Sequence, residues 1–183
     1  MDTAITRRRF VETTLRSAAV TAGGLWLGPH LARTRAAIAA DPTPEFFTPG
    51  EAATIAAACA RIVPGAPGEP GATEVGAVRV IDFLCARTPA LRPVYRGGAA
   101  GLDETAGALH GKPFAAIPAA RRDEILSAVQ AGKAAGVTWT RLPSRLFFSV
   151  LLLHTKAAYY TNPLSFPFTG YPGIYDHAHR KHR

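Results

Sequence analysis

The sequence lacks the motifs that bind the common redox and nucleotide cofactors. It has no G-x-G-x-x-G segment after a predicted strand, no Walker loop and no C-x-x-C-H site for haem attachment. Its only two cysteines, Cys59 and Cys85, do not form a cluster in the sequence. We therefore expect this chain to bind no cofactor of these classes by itself.

Long hydrophobic runs and alternating strand patterns are also missing. The longest strongly apolar stretch, residues 146–153, contains Ser149 and ends at His154, well short of the roughly 20 residues that span a bilayer. No segment alternates polar and apolar residues for the length of a strand, and no internal repeat is present. The sequence predicts no transmembrane helix in the mature chain and an all-α fold: one Ala-rich domain of about five helices.

Acidic residues are scarce at both ends of the chain, and this scarcity explains most of the net charge of +8. Residues 1–40 contain six arginines against Asp2 and Glu12, and residues 176–183 carry a net charge of +2. The segment between them is nearly neutral. It therefore offers no basic face able to neutralise several phosphates, which argues against nucleic acid as a partner.

Residues 1–40 have the order of an export signal: a basic segment, a modest apolar stretch diluted by Gly and Ala, and then Ala37-Ile38-Ala39. Arg7 and Arg8, followed by Phe10, indicate the twin-arginine route, because paired guanidinium groups can make bidentate contacts with receptor carboxylates. We expect cleavage after Ala39; a solvated basic arm is the alternative. Since this route carries folded proteins, either this chain or a partner should hold a cofactor.

Capping signals and apolar spacing predict five helices in residues 41–175. Thr48, Pro49 and Glu51 form a capping box that starts the first helix, which should end before Pro64. The next three are predicted to start at Thr73, at Thr88-Pro89 and at Pro118; the middle one contains four glycines, each costing about 1 kcal/mol relative to Ala. The fifth, from Arg145 to about Thr161, is the most apolar and should be central.

After Asn162-Pro163 the chain continues as an arm rich in aromatic residues, Pro and Gly. The Pro and Gly residues predict an irregular segment. Apolar rings on such an arm need a surface that buries them, either the domain's own helices or another subunit. The rings are Phe166, Phe168, Tyr171 and Tyr175.

His154 is the best single candidate for catalysis, because an imidazole on an apolar helix face can be held in its neutral, basic form. It has no Asp, Glu, Cys or Ser three or four residues away, which favours a hydrogen-bonded packing role instead. Tyr159 and Tyr160 follow it and could donate hydrogen bonds to a partner or pack in the domain.

The remaining ionisable groups are predicted to be structural or solvated. Neighbouring carboxylates in the pairs Asp103-Glu104 and Asp123-Glu124 point in different directions on a helix, so we expect them to face solvent. Cys59 and Cys85 should lie too far apart for a disulfide and remain buried thiols or bond to a partner. The histidines of the tail, residues 176–183, lie among Arg and Lys that repel metal cations.

Four blocks of sequence follow the leader: FFTPGEAATIAAACARIVPGAPGEPGATEVGAVRVIDFL, GKPFAAIPAARRDEILSAV, FFSVLLLHTKAAYYTNP and FTGYPG. This succession resembles the gluconate 2-dehydrogenase subunit 3 family. The likeness spans about residues 46–173, and it is most specific at residues 48–51, 62–64, 111–114, 154–163 and 170–173.

The resemblance implies a small, helical, noncatalytic subunit. Its partner would be an FAD-binding catalytic large subunit of the glucose-methanol-choline type, which oxidises a sugar or polyol and passes electrons to a multihaem cytochrome c. The small subunit's leader would carry that partner through the twin-arginine translocase to the periplasm, at the outer face of the inner membrane. The residues expected to contact the large subunit are Phe114, His154, Tyr159, Tyr160 and the four aromatic residues of the arm.

Two other classes of function remain open from the sequence. The chain would be a stand-alone periplasmic enzyme if His154 acted with Tyr159 or Tyr160, which requires a pocket around His154. It would be a small binding protein if an uncleaved leader tethered it.

Overall fold

The computed structural model describes residues 44–170, which all fall within one compact unit. This region is all-α, as predicted, and its only β-type pairing is an isolated bridge between Ala66 and Glu69. Three short 3₁₀ turns, Pro89–Leu91, Phe114–Ala116 and Pro163–Ser165, connect or extend the helices. The helices are α1 (Pro49–Ile62), α2 (Ala77–Arg87), α3 (Arg92–His110), α4 (Ala119–Ala131), α5 (Val137–Arg141), α6 (Ser144–Tyr160) and α7 (Phe166–Thr169).

Helix α1 begins with the predicted capping box. The Glu51 backbone N–H donates to the Thr48 hydroxyl at 3.3 Å, and the Glu51 carboxylate accepts the Thr48 backbone N–H at 2.8 Å. Pro49 occupies the first turn, where its missing N–H is not needed. The helix ends at Ile62, before Pro64, so both predicted ends are confirmed.

The predicted start of the second helix was wrong. Thr73 lies in a turn, and α2 begins at Ala77 after Gly76, which has a left-handed backbone with φ 66° and caps the helix without a side-chain bond. The Glu74 carboxylate accepts the Gly71 N–H, three residues earlier in the chain, at 2.7 Å. The backbone therefore turns once more before helical geometry can start.

The glycines that weaken the third predicted helix in isolation are what allow α3 to pack. A Cβ on Gly98 would overlap the ring of Phe147, and a Cβ on Gly101 would lie 2.6 Å from the Trp139 ring. Both rings are buried. The low helix propensity of these two glycines is thus offset by close contact with α6 and α5, and α3 is the longest helix described, with 19 residues.

Helix α6 is central, as predicted: it packs against α1, α2, α3 and α4.

Helix α5, which precedes α6, was not predicted, because five residues are too few for a periodic signal. The Glu104 carboxylate on α3 supplies the missing cap by accepting the Val137 N–H at 2.7 Å and the Thr138 N–H at 3.0 Å. A hydrogen bond from the Thr138 side chain contributes most to lowering the pKa of Glu104, and the two backbone N–H groups lower it further.

The first part of the C-terminal arm is not irregular, so this prediction was wrong for residues 163–169. Pro163 and Pro167 each occupy the first turn of a short helix, where a missing N–H costs nothing. The Asn162 side chain accepts the Leu164 N–H at 3.0 Å and so caps the 3₁₀ turn. Gly170, with φ 66°, ends α7.

A buried carboxylate fastens the start of the described chain to α2. Asp82 is 7% exposed, and its two oxygens accept the backbone N–H groups of Glu45, Phe46 and Phe47 at 2.7, 3.1 and 2.8 Å. Charge-assisted bonds of this kind are stronger than neutral ones. The bond directs Phe47 into the core, where its ring lies 6.0 Å from that of Tyr95.

Two glycine substitutions in α3 should have opposite effects. Gly98→Ala should lower the free energy of unfolding by about 1–3 kcal/mol, because the new methyl group overpacks against Phe147. Gly107→Ala is the matched control: no atom lies within 4 Å of the position that its new methyl group would occupy, so better helix propensity should raise stability by up to about 1 kcal/mol. Urea denaturation measures both, and equal shifts in one direction would contradict the packing role of Gly98.

Candidate functional site

The ionisable pair at the centre of the domain joins α3 to α6. The Tyr95 hydroxyl lies 2.8 Å from Nδ1 of His154, and the two rings stack with centroids 5.9 Å apart. Tyr95 is fully buried and His154 is 7% exposed. Phe147 packs edge-on against Tyr95 with centroids 6.2 Å apart. The pair is therefore enclosed by aromatic packing.

Burial sets the protonation of both groups. It lowers the pKa of His154, and it raises the pKa of Tyr95, to which the nearby Cys59 and Cys85 add a smaller effect. The phenol therefore keeps its proton, and its O–H donates a hydrogen bond to Nδ1 of the neutral imidazole. This geometry supports the packing interpretation of His154, and the sequence did not indicate Tyr95 as its partner.

Both cysteines are free and buried, as predicted. The Thr155 hydroxyl donates to Sγ of Cys59 at 3.3 Å. Burial raises the pKa of each thiol to about 12; for Cys85 the charge of Asp82 adds to this rise. Because the thiolate is the reactive form, neither cysteine is suited to nucleophilic or redox chemistry in the folded chain.

Carboxylates that were predicted to face solvent instead tie helices together. Asp103 on α3 accepts the Thr54 hydroxyl at 3.0 Å and the Phe114 N–H at 2.9 Å. Asp123 on α4 forms a bidentate pair with Arg61 on α1, with N–O distances of 2.6 and 2.7 Å. The prediction considered only the directions of neighbouring side chains on one helix, and it missed their partners on other helices. Of the two pairs, only Glu124 remains exposed.

The residues predicted to contact a partner divide between core and surface. Phe114 is fully buried and His154 nearly so, so neither presents a surface to another molecule. Tyr159 and Tyr160 contact each other edge-on, with centroids 5.4 Å apart. Phe166 is half-buried, whereas Tyr160 and Phe168 are 49% and 46% exposed. The remaining two, Tyr171 and Tyr175, lie outside the described residues, as do the export-signal residues Arg7, Arg8 and Phe10.

Three exposed apolar side chains lie at four-residue intervals in the sequence, and Leu164 and Phe168 line the same groove. We call this set the C-terminal patch: Tyr160, Leu164 and Phe168. Leu164 is 57% exposed. The backbone beneath is held by the buried Ser165, whose hydroxyl donates to the carbonyl oxygens of Tyr159 and Asn162. Sequence analysis missed Leu164.

A shallow, open groove of about 710 Å³ borders the patch. It lies between the Pro/Gly loop, residues 65–70, and the side chains of Glu74, Leu164 and Phe168. Asn162 holds the two sides together, since its side-chain amide donates to the Val75 carbonyl at 3.0 Å. The Tyr95–His154 pair does not line this groove.

A second exposed apolar row runs along α6. Leu146 and Leu153 are 50% and 56% exposed, and together with Tyr160 they repeat every seven residues. Sequence analysis predicted an apolar helix face around His154 but missed the outward row, which the seven-residue spacing could have revealed.

Residues 44–170 contain neither a metal site nor a membrane-spanning helix. No group of three or more His, Cys, Asp or Glu side chains in this region is arranged to hold a metal ion. None of its helices combines the length and apolarity that crossing a membrane requires.

A model of the protein family described as gluconate 2-dehydrogenase subunit 3 matches residues 49–173. No curated protein and no solved structure matches the chain.

The depressed pKa of His154 predicts how stability depends on pH. Below the unfolded value of about 6.5, the unfolded chain takes up a proton that the folded chain does not, so the free energy of unfolding should fall as the pH is lowered. His154→Gln does not titrate and can still accept the Tyr95 hydroxyl.

Urea denaturation between pH 7.5 and 5 should therefore show a steeper loss for the natural chain than for His154→Gln. The difference in slope has an upper limit of about 1.4 kcal/mol per pH unit. Carboxylates titrate in both proteins and cancel in the comparison. Parallel profiles would show that His154 is not buried in its neutral form.

Proposed function

This chain belongs to the gluconate 2-dehydrogenase subunit 3 family, and from that membership we propose that it is the noncatalytic small subunit of an FAD-dependent dehydrogenase complex. In this proposal the FAD lies in a separate catalytic subunit of the glucose-methanol-choline type, which oxidises gluconate or a related sugar or polyol. The small subunit binds that partner and supports its folding, stability and export. A multihaem cytochrome c is the proposed electron acceptor.

The C-terminal patch is the observation that carries this proposal. Tyr160, Leu164 and Phe168 are about half exposed, and the buried hydrogen bonds of Ser165 hold the turn that presents them. Exposed aromatic side chains on an ordered backbone are typical anchors of protein interfaces, because they bury a large area with little loss of conformational freedom.

The buried groups support an accessory role over the two alternatives. A stand-alone enzyme would need the His154 imidazole to reach a substrate, whereas its Nδ1 is bonded to Tyr95 and its ring is nearly buried. The thiols are protonated at neutral pH. The groove beside the patch is open, unlike the concave pockets that usually hold small ligands.

The leader extends the proposal to export. Residues 1–40, with Arg7, Arg8 and Phe10, have the order of a twin-arginine signal. The large subunit would fold around FAD in the cytoplasm, bind this chain and leave with it for the periplasm. Binding only the folded form would also stabilise the large subunit by mass action.

Co-expression with the proposed FAD-binding catalytic subunit tests the interface. The tagged natural chain should co-purify with flavin absorbance, and Phe168→Asp should reduce the bound flavoprotein about 30-fold, as expected for loss of an anchor that contributes about 2 kcal/mol. Leu109→Asp is the matched control, because Leu109 is also exposed, at 65%, but lies on α3. Retention of the flavoprotein by Phe168→Asp would exclude the patch as the interface.

Export is tested separately by the double variant Arg7→Lys, Arg8→Lys. It keeps the charge and loses the bidentate guanidinium geometry, so dehydrogenase activity should accumulate in the cytoplasm instead of the periplasm. Fractionation followed by an activity assay measures the distribution. Unchanged periplasmic activity would rule out this leader as the carrier.

A further inference from the structure

The outward face of α6 is an apolar row that the described residues, 44–170, leave uncovered. Leu146, Leu153 and Tyr160 are each about half exposed, and the first and last lie about 21 Å apart along the helix axis at 1.5 Å per residue. Ser149 is exposed between the two leucines, while Val150 and Ala157 are half-buried along the same side. We call this surface the α6 seam.

The inward face of the same helix is buried in the core of the domain. Phe147, Leu151, His154 and Ala158 are buried against the other helices. A surface helix of a globular domain normally has one apolar stripe and an opposite polar face. Helix α6 has apolar residues on both sides, and we expect another molecule to bury the exposed side.

The spacing of the seam selects the shape of that molecule. A strict repeat of seven residues drifts by only about 20° per repeat on an α-helix, so the three side chains form a narrow row. Narrow rows of this period pack against a second helix, whose side chains fit between them. An amphipathic surface that lies in a membrane interface is usually wider. The small Ser149 and Ala157 side chains allow a helix to approach closely.

Charge selects the chemistry of the partner. Helix α6 itself carries two cations, Arg145 and Lys156, and no Asp or Glu. The same helix of a second copy of this chain would bring only further cations to the contact. A helix flanked by carboxylates complements it, because opposite charges at the edges of a helical pair fix the choice of partner.

We propose that the α6 seam binds an α-helix of the catalytic subunit that has apolar residues at seven-residue spacing and Asp or Glu beside them. This inference rests on the proposed function, since it specifies the chemistry of the partner surface. It extends the interface from the C-terminal patch, which shares Tyr160, along the length of α6.

Site-specific photo-crosslinking tests the contact directly. A benzophenone amino acid placed at Ser149 of the full chain, co-expressed with the proposed FAD-binding catalytic subunit, should form an adduct with that subunit. Mass spectrometry should locate the adduct in a helical segment with the predicted apolar and acidic pattern. The same probe at Leu109 is the control and should give no comparable adduct. An adduct to a basic or non-helical segment, or equal adducts from both positions, would overturn the proposal.

Substitution gives the second measurement. Leu153→Glu should reduce the co-purified flavoprotein at least about tenfold, the effect of losing a central interface contact, while Leu109→Glu should leave it unchanged. Both side chains are more than half exposed, so circular dichroism should show the same helix content and melting temperature. If Leu153→Glu binds normally while Phe168→Asp does not, the seam is wrong and the proposed function stands. If the natural chain binds no flavoprotein, both fail.

Two further outcomes would assign the seam to a different occupant. Sedimentation velocity would reveal a dimer of the natural chain that Leu153→Glu dissociates. Co-sedimentation with vesicles of phosphatidylglycerol would reveal lipid binding that Leu153→Glu abolishes. Either result would overturn the proposal. A natural chain that is monomeric and does not co-sediment with these vesicles agrees with it.

Discussion

The close approach of α3 to α6 at Gly98 is the contact on which the rest of the domain depends. The Phe147 ring occupies the space that any side chain at position 98 would need. This contact brings Tyr95, one turn earlier on α3, to hydrogen-bond distance from His154 on α6. It also aligns the buried stripe of α6 with the core, so the opposite row of the same helix must face outward.

The polar groups inside the domain are committed to holding helices together. Tyr95 with His154, Asp103 with Thr54 and Phe114, and Asp82 with three backbone amides each join segments distant in the sequence. Groups of these types are the ones that catalysis commonly uses, and here their hydrogen bonds are directed to the protein itself. The surface offers instead exposed apolar side chains on α6 and on the short elements that follow it. This division is consistent with the proposed role of this family member, in which the chain binds a larger partner.

Local signals predicted the parts of the fold that depend on neighbours in the sequence. The Thr48 capping box and the helix from Arg145 to about Thr161 were predicted correctly, because the capping groups and the apolar periodicity lie within one or two helical turns. The roles of Gly98, Asp103 and Asp123 could not be predicted, since each depends on a residue from another helix. Helix α5 could not be predicted either, because the carboxylate that caps it belongs to Glu104 on another helix. Of the candidate site, aromatic content indicated Phe168 and Tyr160, whereas Leu146, Leu153 and Leu164 become apparent only from their exposure.

The Asp82 carboxylate also determines how the domain would respond to tension from its N-terminal side. A force applied to the chain before residue 44 reaches the folded body first at residues 45–47, whose three amides converge on this one side chain. While these three bonds hold, they transmit the force to Asp82. The load then passes into α2 and the core, bypassing the capping box of α1. A segment attached upstream can accordingly be pulled or cut while the first helix stays wound.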